Sequence, residues 1–132
     1  MIKENCLDEI IRSRGQRNPV IRRLMIYIRV RGSEPQGFVF DPEAGIRIGR
    51  DPMRNEICIR DGLVSASHCC IYLQKGRPVI RDYQSTNGTW IRRGMHRMRP
   101  VEGTGSLMSG DVLRVGDTKM DVKFFVFDMM DL

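Results

Sequence analysis

Several protein classes need features that this sequence has little of. No apolar run approaches the roughly 18 residues of a membrane-spanning helix. The opening stretch MIKENCLDEIIRSRGQ has charges among its apolar residues, so it lacks the apolar centre of a secretory signal. Only four of the 132 residues are cysteines, at positions 6, 58, 69 and 70, and none falls in a CxxC or Cys/His ligand spacing. That argues against a zinc site, and no other metal or cofactor is indicated. Cys69 and Cys70 would alternate to opposite faces of a strand, which disfavours a disulfide between them. The expectation is reduced thiols, mostly small buried hydrophobes, in an intracellular protein of nucleus or cytoplasm. Aromatic side chains number nine, with a single Trp, too few for a platform that stacks nucleic-acid bases.

What is present is cationic and strand-like. The net charge is +6, and residues 1–31 account for most of it, with eight Lys or Arg against three Asp or Glu. The remaining body is nearly balanced, so a positive site there must be local. Its candidates are Arg47, Arg50, Arg54 and Arg60, and then Arg92, Arg93, Arg97 and Arg99 with His96. Residues 1–20 hold one helix-compatible piece, CLDEIIRSR, ended by Gly15 and Pro19, and read as an extension or linker before a domain over 21–132. The nine methionines read as core filler.

From Arg23 the pattern is that of strands. RLMIYIRVR, GFVF, AGIRIGR, EICIR, HCCIYLQ, RPVIRD, GTWIR, DVLRVG and KMDVKFFVF are short β-branched or alternating runs separated by Gly, Pro, Asn and Asp. The GMHRMRPVEGTGSLMSG stretch reads as irregular. No ten-residue stretch of the body has helical periodicity. Short strands at spacings near ten residues predict an all-β antiparallel sandwich, whose loops gather at its two ends.

Three of those loops are rich in polar donors: GRDPMRNE, RDGLVSASH and YQSTNGT. If they share one end, Arg50, Ser65, Thr86 and Asn87 converge beside Gly49, His68 and Gly88. A guanidinium, two hydroxyls and an amide, with no carboxylate among them, suit a tetrahedral oxyanion. Arg presents a planar fork matched to phosphate oxygens, and charge-assisted hydrogen bonds are the strong kind.

At GIRIGRD (45–51), NEICI (55–59), VSASH (64–68), DYQSTNGTWI (82–91) and LMSGDVLRVG (107–116) the sequence resembles the forkhead-associated (FHA) domain family. The five blocks occur in order, and flanking strands extend the likeness to about residues 23–127. The resemblance implies an eleven-stranded sandwich that binds phosphothreonine peptides through loops at one end. It implies that Arg50 and Ser65 hold the phosphate with help from Thr86, and that Asn87 bonds the peptide backbone. Gly49, His68, Gly88 and Trp90 would be architectural, with His68 bracing the loops and Trp90 packing beneath Asn87. The chain departs from the family in having Ala66, where a cation or amide often follows the serine. It also reads Arg92-Arg93-Gly94 where Asn-Gly is usual.

Other readings stay open beside this one. An FHA-like fold can serve as a phospho-independent interaction or dimerisation surface. Ser65 with His68, or Cys69 alone, could suggest a nucleophile, but no orienting acid or oxyanion hole accompanies them, so no enzyme is expected. The charge distribution argues against a nucleic-acid partner for the body. The arginines from Arg92 to Arg99 read as either a solvated face or a rim attracting an acidic phosphopeptide.

Overall fold

In the runs 26–30 and 119–125, apolar residues alternate with charged or aromatic ones, a period that only an extended strand can sort onto two faces. The computed structural model describes residues 20–39 and 45–130, and they contain eleven strands and no helix. These are β1 (Val20–Val30), β2 (Gln36–Val39), β3 (Ile46–Gly49), β4 (Ile57–Cys58), β5 (Cys69–Gln74) and β6 (Arg77–Asp82). They continue with β7 (Thr89–Arg92), β8 (Arg99–Pro100), β9 (Thr104–Ser106), β10 (Val112–Val115) and β11 (Thr118–Met130). One sheet has the order β2-β1-β11-β10-β7-β8 and the other β4-β3-β5-β6-β9. The expected sandwich is what forms. Its pairs are antiparallel except β3 with β4, which run parallel because the intervening loop carries the chain back to the same end.

The core lies between the sheets. Ile26 and Ile28 of β1, Leu113 and Val115 of β10, and Met120 and Val122 of β11 meet Ile46, Ile48, Ile71 and Ile80 of the opposing sheet, all buried. Each such side chain contributes about 1.5–3 kcal/mol by leaving water. β1 and β11 pair from Val20↔Met130 to Val30↔Met120, giving the fold its longest ladder.

Several expectations need correction. The stretch after β7 is not wholly irregular: β8 and β9 form there, because each borrows backbone partners from a preexisting strand, β7 and β6 respectively. Such pairing needs no alternating side chains, so the sequence carries no sign of it. β1 begins at Val20, and the helix-compatible extension expected before it, with Cys6, lies outside the described residues. Cys69 and Cys70 are buried, whereas Cys58 is exposed on the two-residue β4. Methionine is a poor guide to the core. Met120 is buried, but Met53, Met95 and Met108 are exposed, because they fall in loops.

The arginine cluster also divides. Arg93 is no rim cation: its Nε and Nη2 donate to Asp111 Oδ1 and Oδ2, both at 2.9 Å, and Asp111 is 1% exposed. Asp111 also accepts from Met108 N at 2.8 Å. A buried carboxylate needs such partners to offset lost hydration. Moreover, β7 carries the chain from Gly88 to Arg93, about 13 Å for its four residues. Arg93 and Arg97 therefore leave the opposite end of that strand from the Thr86-Asn87-Gly88 turn, and β8 returns Arg99 beside Ile91.

One surface pair fixes the loop that enters β4. Glu56 Oε1 accepts from Arg47 N at 2.7 Å and Arg47 Nε at 3.0 Å, while Oε2 accepts from Arg47 Nη2. The Arg47 side-chain bond is the main cause that draws the Glu56 carboxyl from 4.5 down to about 2. A depressed folded-state pKa stabilises the fold above the unfolded value and loses that contribution as pH falls. Melting temperature should therefore fall as pH drops from about 4.5 to about 2. The fall should be shallower in Glu56→Gln, measured by circular dichroism across that range. Equal slopes for the two proteins would remove this pair from the acid response.

Candidate functional site

Gly49 ends β3 because nothing larger fits there. A Cβ at this position would lie 2.4 Å from Ala66 O and 2.7 Å from Asn55 Nδ2. The close approach lets Arg50 N donate to Ser65 O at 2.9 Å and Asp51 N to Ala66 O at 3.2 Å. Asn55 Nδ2 seals the crossing by donating to both Asp51 O and Ala66 O at 2.7 Å. The first polar loop is thereby laid against the second.

The second loop meets the third through His68, whose ring is completely buried. Ser65 N donates to His68 Nδ1 at 3.0 Å, and His68 Nε2 lies 2.9 Å from Gly88 O. An amide proton given to Nδ1 requires its lone pair, so Nε2 carries the hydrogen and donates to Gly88 O. Thr86 N donates to Ser65 Oγ at 3.3 Å, and Asn87 Nδ2 to Leu63 O at 2.9 Å. Ser65 thus touches both other loops, and Arg50, Ser65, Thr86 and Asn87 are assembled at one end of the sandwich.

The third loop has its own scaffold, which sequence reasoning did not single out. Asp82 Oδ1 accepts from Ser85 Oγ at 2.6 Å and Thr89 Oγ1 at 2.7 Å, and Oδ2 accepts from Ser85 N at 3.1 Å. Ser85 Oγ in turn accepts from Gly88 N at 3.0 Å. The only signal for this was an acid three residues before a serine, an Asx-type turn pattern common in loops. Gly88 has φ +81°, a left-handed conformation that disfavours a side chain. Trp90 Nε1 donates to Asn87 O at 3.3 Å, and the Arg114 guanidinium lies 4.8 Å from the Trp90 ring centroid. The tryptophan therefore flanks the turn from β7, clamped by a cation–π contact.

The chemistry left open at this end is that of an anion receptor. Arg50 is exposed and anchored by one bond, Nε to Val64 O at 2.9 Å. Among the described residues no hydrogen bond engages its two terminal nitrogens, so the fork remains available. Asn87 spends one amide hydrogen on Leu63 O and keeps its carbonyl oxygen. Asp82, the carboxylate at the start of the third loop, is occupied by two hydroxyls and an amide.

The same geometry disfavours nucleophilic catalysis. Both His68 nitrogens are committed to the backbone, and neither bonds Ser65 Oγ. Burial pushes the Cys69 thiol far above its ordinary pKa, so no thiolate forms near neutral pH.

Comparison with known proteins agrees with this architecture. An FHA domain-containing protein of Arabidopsis thaliana is 34% identical over 93 residues, covering 70% of this chain and 23% of that protein. The chain thus spans under a quarter of that curated relative's length. The solution structure of the FHA domain of an Arabidopsis thaliana hypothetical protein is 30% identical, with TM-score 0.60, over 77% of this chain and 85% of that one. Mycobacterium tuberculosis EmbR, in complex with a low affinity phosphopeptide, is 24% identical, with TM-score 0.62, over 92% of this chain and 28% of that one. The sequence pattern of the FHA domain matches residues 46–116, more than half of the chain. With that match, and with the two sheets and converging loops described above, the chain belongs to the FHA domain family.

Proposed function

We propose that this chain is a phosphopeptide-binding module that recognises phosphothreonine on partner proteins. Arg50 and Ser65 hold the phosphate, Thr86 assists, and Asn87 bonds the peptide backbone beside it. Gly49, His68, Gly88 and Trp90 keep these groups in place. The observation that carries this reading is Ser65 as a junction: its carbonyl takes the Arg50 amide and its hydroxyl takes the Thr86 amide. That hydroxyl can still donate its proton to a phosphate oxygen. EmbR, with a similar fold, is seen with a phosphopeptide, which supports the ligand class.

A phosphate near −2 charge, met by one guanidinium and several neutral donors, gives charge-assisted bonds of about 1.5–3 kcal/mol each. Dissociation constants near micromolar, about 8 kcal/mol, are expected. The test is calorimetry with an oriented phosphothreonine peptide library and with its phosphoserine and unphosphorylated counterparts. Binding should require the phosphate, favour threonine, and weaken below about pH 6, where the dianion gains a proton. Equal binding of the unphosphorylated library would instead favour the alternative, a phospho-independent interaction or dimerisation surface. That alternative has an observation of its own: Tyr27 and Phe125 form an exposed edge-to-face pair on the outer face of β1 and β11, 5.3 Å between centroids.

A further inference from the structure

A second binding feature lies away from the Arg50 loops. Among the described residues β8 ends one sheet and β9 ends the other, and neither edge is paired with a further strand. Between them runs a cleft of about 540 Å³, lined by Ile91, His96, Arg97, Arg99, Pro100 and Val101 among others. The connector from β8 to β9 closes one end and is firmly held. Val101 N donates to Thr89 O at 2.8 Å, and Asp82 N to Gly103 O at 2.9 Å. Arg93 braces the wall from β7 to β9, giving Nη2 to Ser106 O at 3.2 Å while its charge is taken by Asp111.

We propose that this cleft binds an extended acidic peptide segment carrying one apolar side chain. The charge favours it. His96, Arg97 and Arg99 are exposed, and among the described residues their side chains make no ion pair or hydrogen bond. Glu102 is the one carboxylate of the lining. The floor of Ile91, Pro100 and Val101 offers an apolar side chain a place to leave water. Gly105 borders that floor: a Cβ there would rest in ordinary contact with Ile91 Cδ1 at 3.5 Å and Val101 Cγ1 at 3.7 Å, covering part of both. The outer edge of β9 is largely occupied, with Thr104 N given to Glu102 O at 3.0 Å and Ser106 O taken by Arg93 Nη2 at 3.2 Å, so recognition rests on the cations and the apolar floor. The lining holds no Phe, Tyr or Trp and includes a carboxylate, which fits a peptide better than a nucleic acid.

The test uses the full chain and fluorescence anisotropy. The probe is an unphosphorylated, labelled peptide of Asp and Glu around a central Leu, with a labelled oligothymidine of equal charge as comparison. Arg97→Glu combined with Arg99→Glu should weaken the peptide by about tenfold, since two attractions become repulsions. These exposed side chains have no partners to lose, so the melting temperature of that variant should match the wild type. Arg50→Ala should bind the acidic peptide as the wild type does, separating this cleft from the proposed phosphate site. Added salt should weaken the complex. The proposal is overturned if the wild type ignores the peptide, if the double variant binds it undiminished, or if oligothymidine binds as tightly.

Discussion

Arg50→Ala should lower affinity for a phosphothreonine peptide by at least about 100-fold, because two charge-assisted bonds worth about 1.5–3 kcal/mol each vanish together. Its stability should change by less than about 1 kcal/mol, since an exposed side chain loses a single bond, to Val64 O. Arg50→Lys should recover part of the affinity, because an ammonium keeps the charge but not the planar fork. Calorimetry for binding and thermal denaturation for stability separate the two effects. Retention of wild-type affinity by Arg50→Ala would remove the guanidinium from the phosphate site.

Gly49→Ala should give the largest loss of stability. Its Cβ would sit 2.4 Å from a backbone carbonyl, Ala66 O, which cannot swing aside as a flexible side-chain tip could. Overpacking of this kind costs about 1–3 kcal/mol, and here the upper end applies. For a domain of this size that is a fall of roughly 10 °C in melting temperature. Binding should fail as well, because relief of the clash parts Arg50 N from Ser65 O and Asp51 N from Ala66 O. Gly62→Ala is the control: a Cβ there meets nothing within 4 Å, and melting should stay close to wild type. Similar melting curves for the two variants would show that the β3 crossing tolerates a side chain.

The two variants divide the proposed site into groups offered to a ligand and groups that hold them. Loss of Arg50 is expected to leave the fold intact; a side chain at Gly49 is not. The same division separates Asn87, exposed at its turn, from His68, whose ring joins Ser65 N to Gly88 O in the interior. Asp82 belongs with the holders, since it organises the turn through Ser85 and Thr89.

Much of this was legible in the sequence, for local reasons. Alternation in RLMIYIRVR and KMDVKFFVF determines strands, because a period of two is useful only to a pleated chain. Gly-rich and Asn-rich breaks determine where strands stop, and the ordered blocks from GIRIGRD to LMSGDVLRVG determine the family. That Arg50, Ser65, Thr86 and Asn87 would meet at one end was foreseeable because each stands inside such a block. Tertiary structure alone decided the rest, because pairing between distant segments leaves no local mark. It decided that β8 and β9 exist as strands, and that Arg93 serves buried Asp111 while Arg97 and Arg99 stay free. It also decided that Cys69 and Cys70 are both buried although adjacent strand residues face opposite sides of a sheet. Charge and periodicity describe one stretch of chain at a time; which cation finds which carboxylate depends on where the two sheets bring their loops.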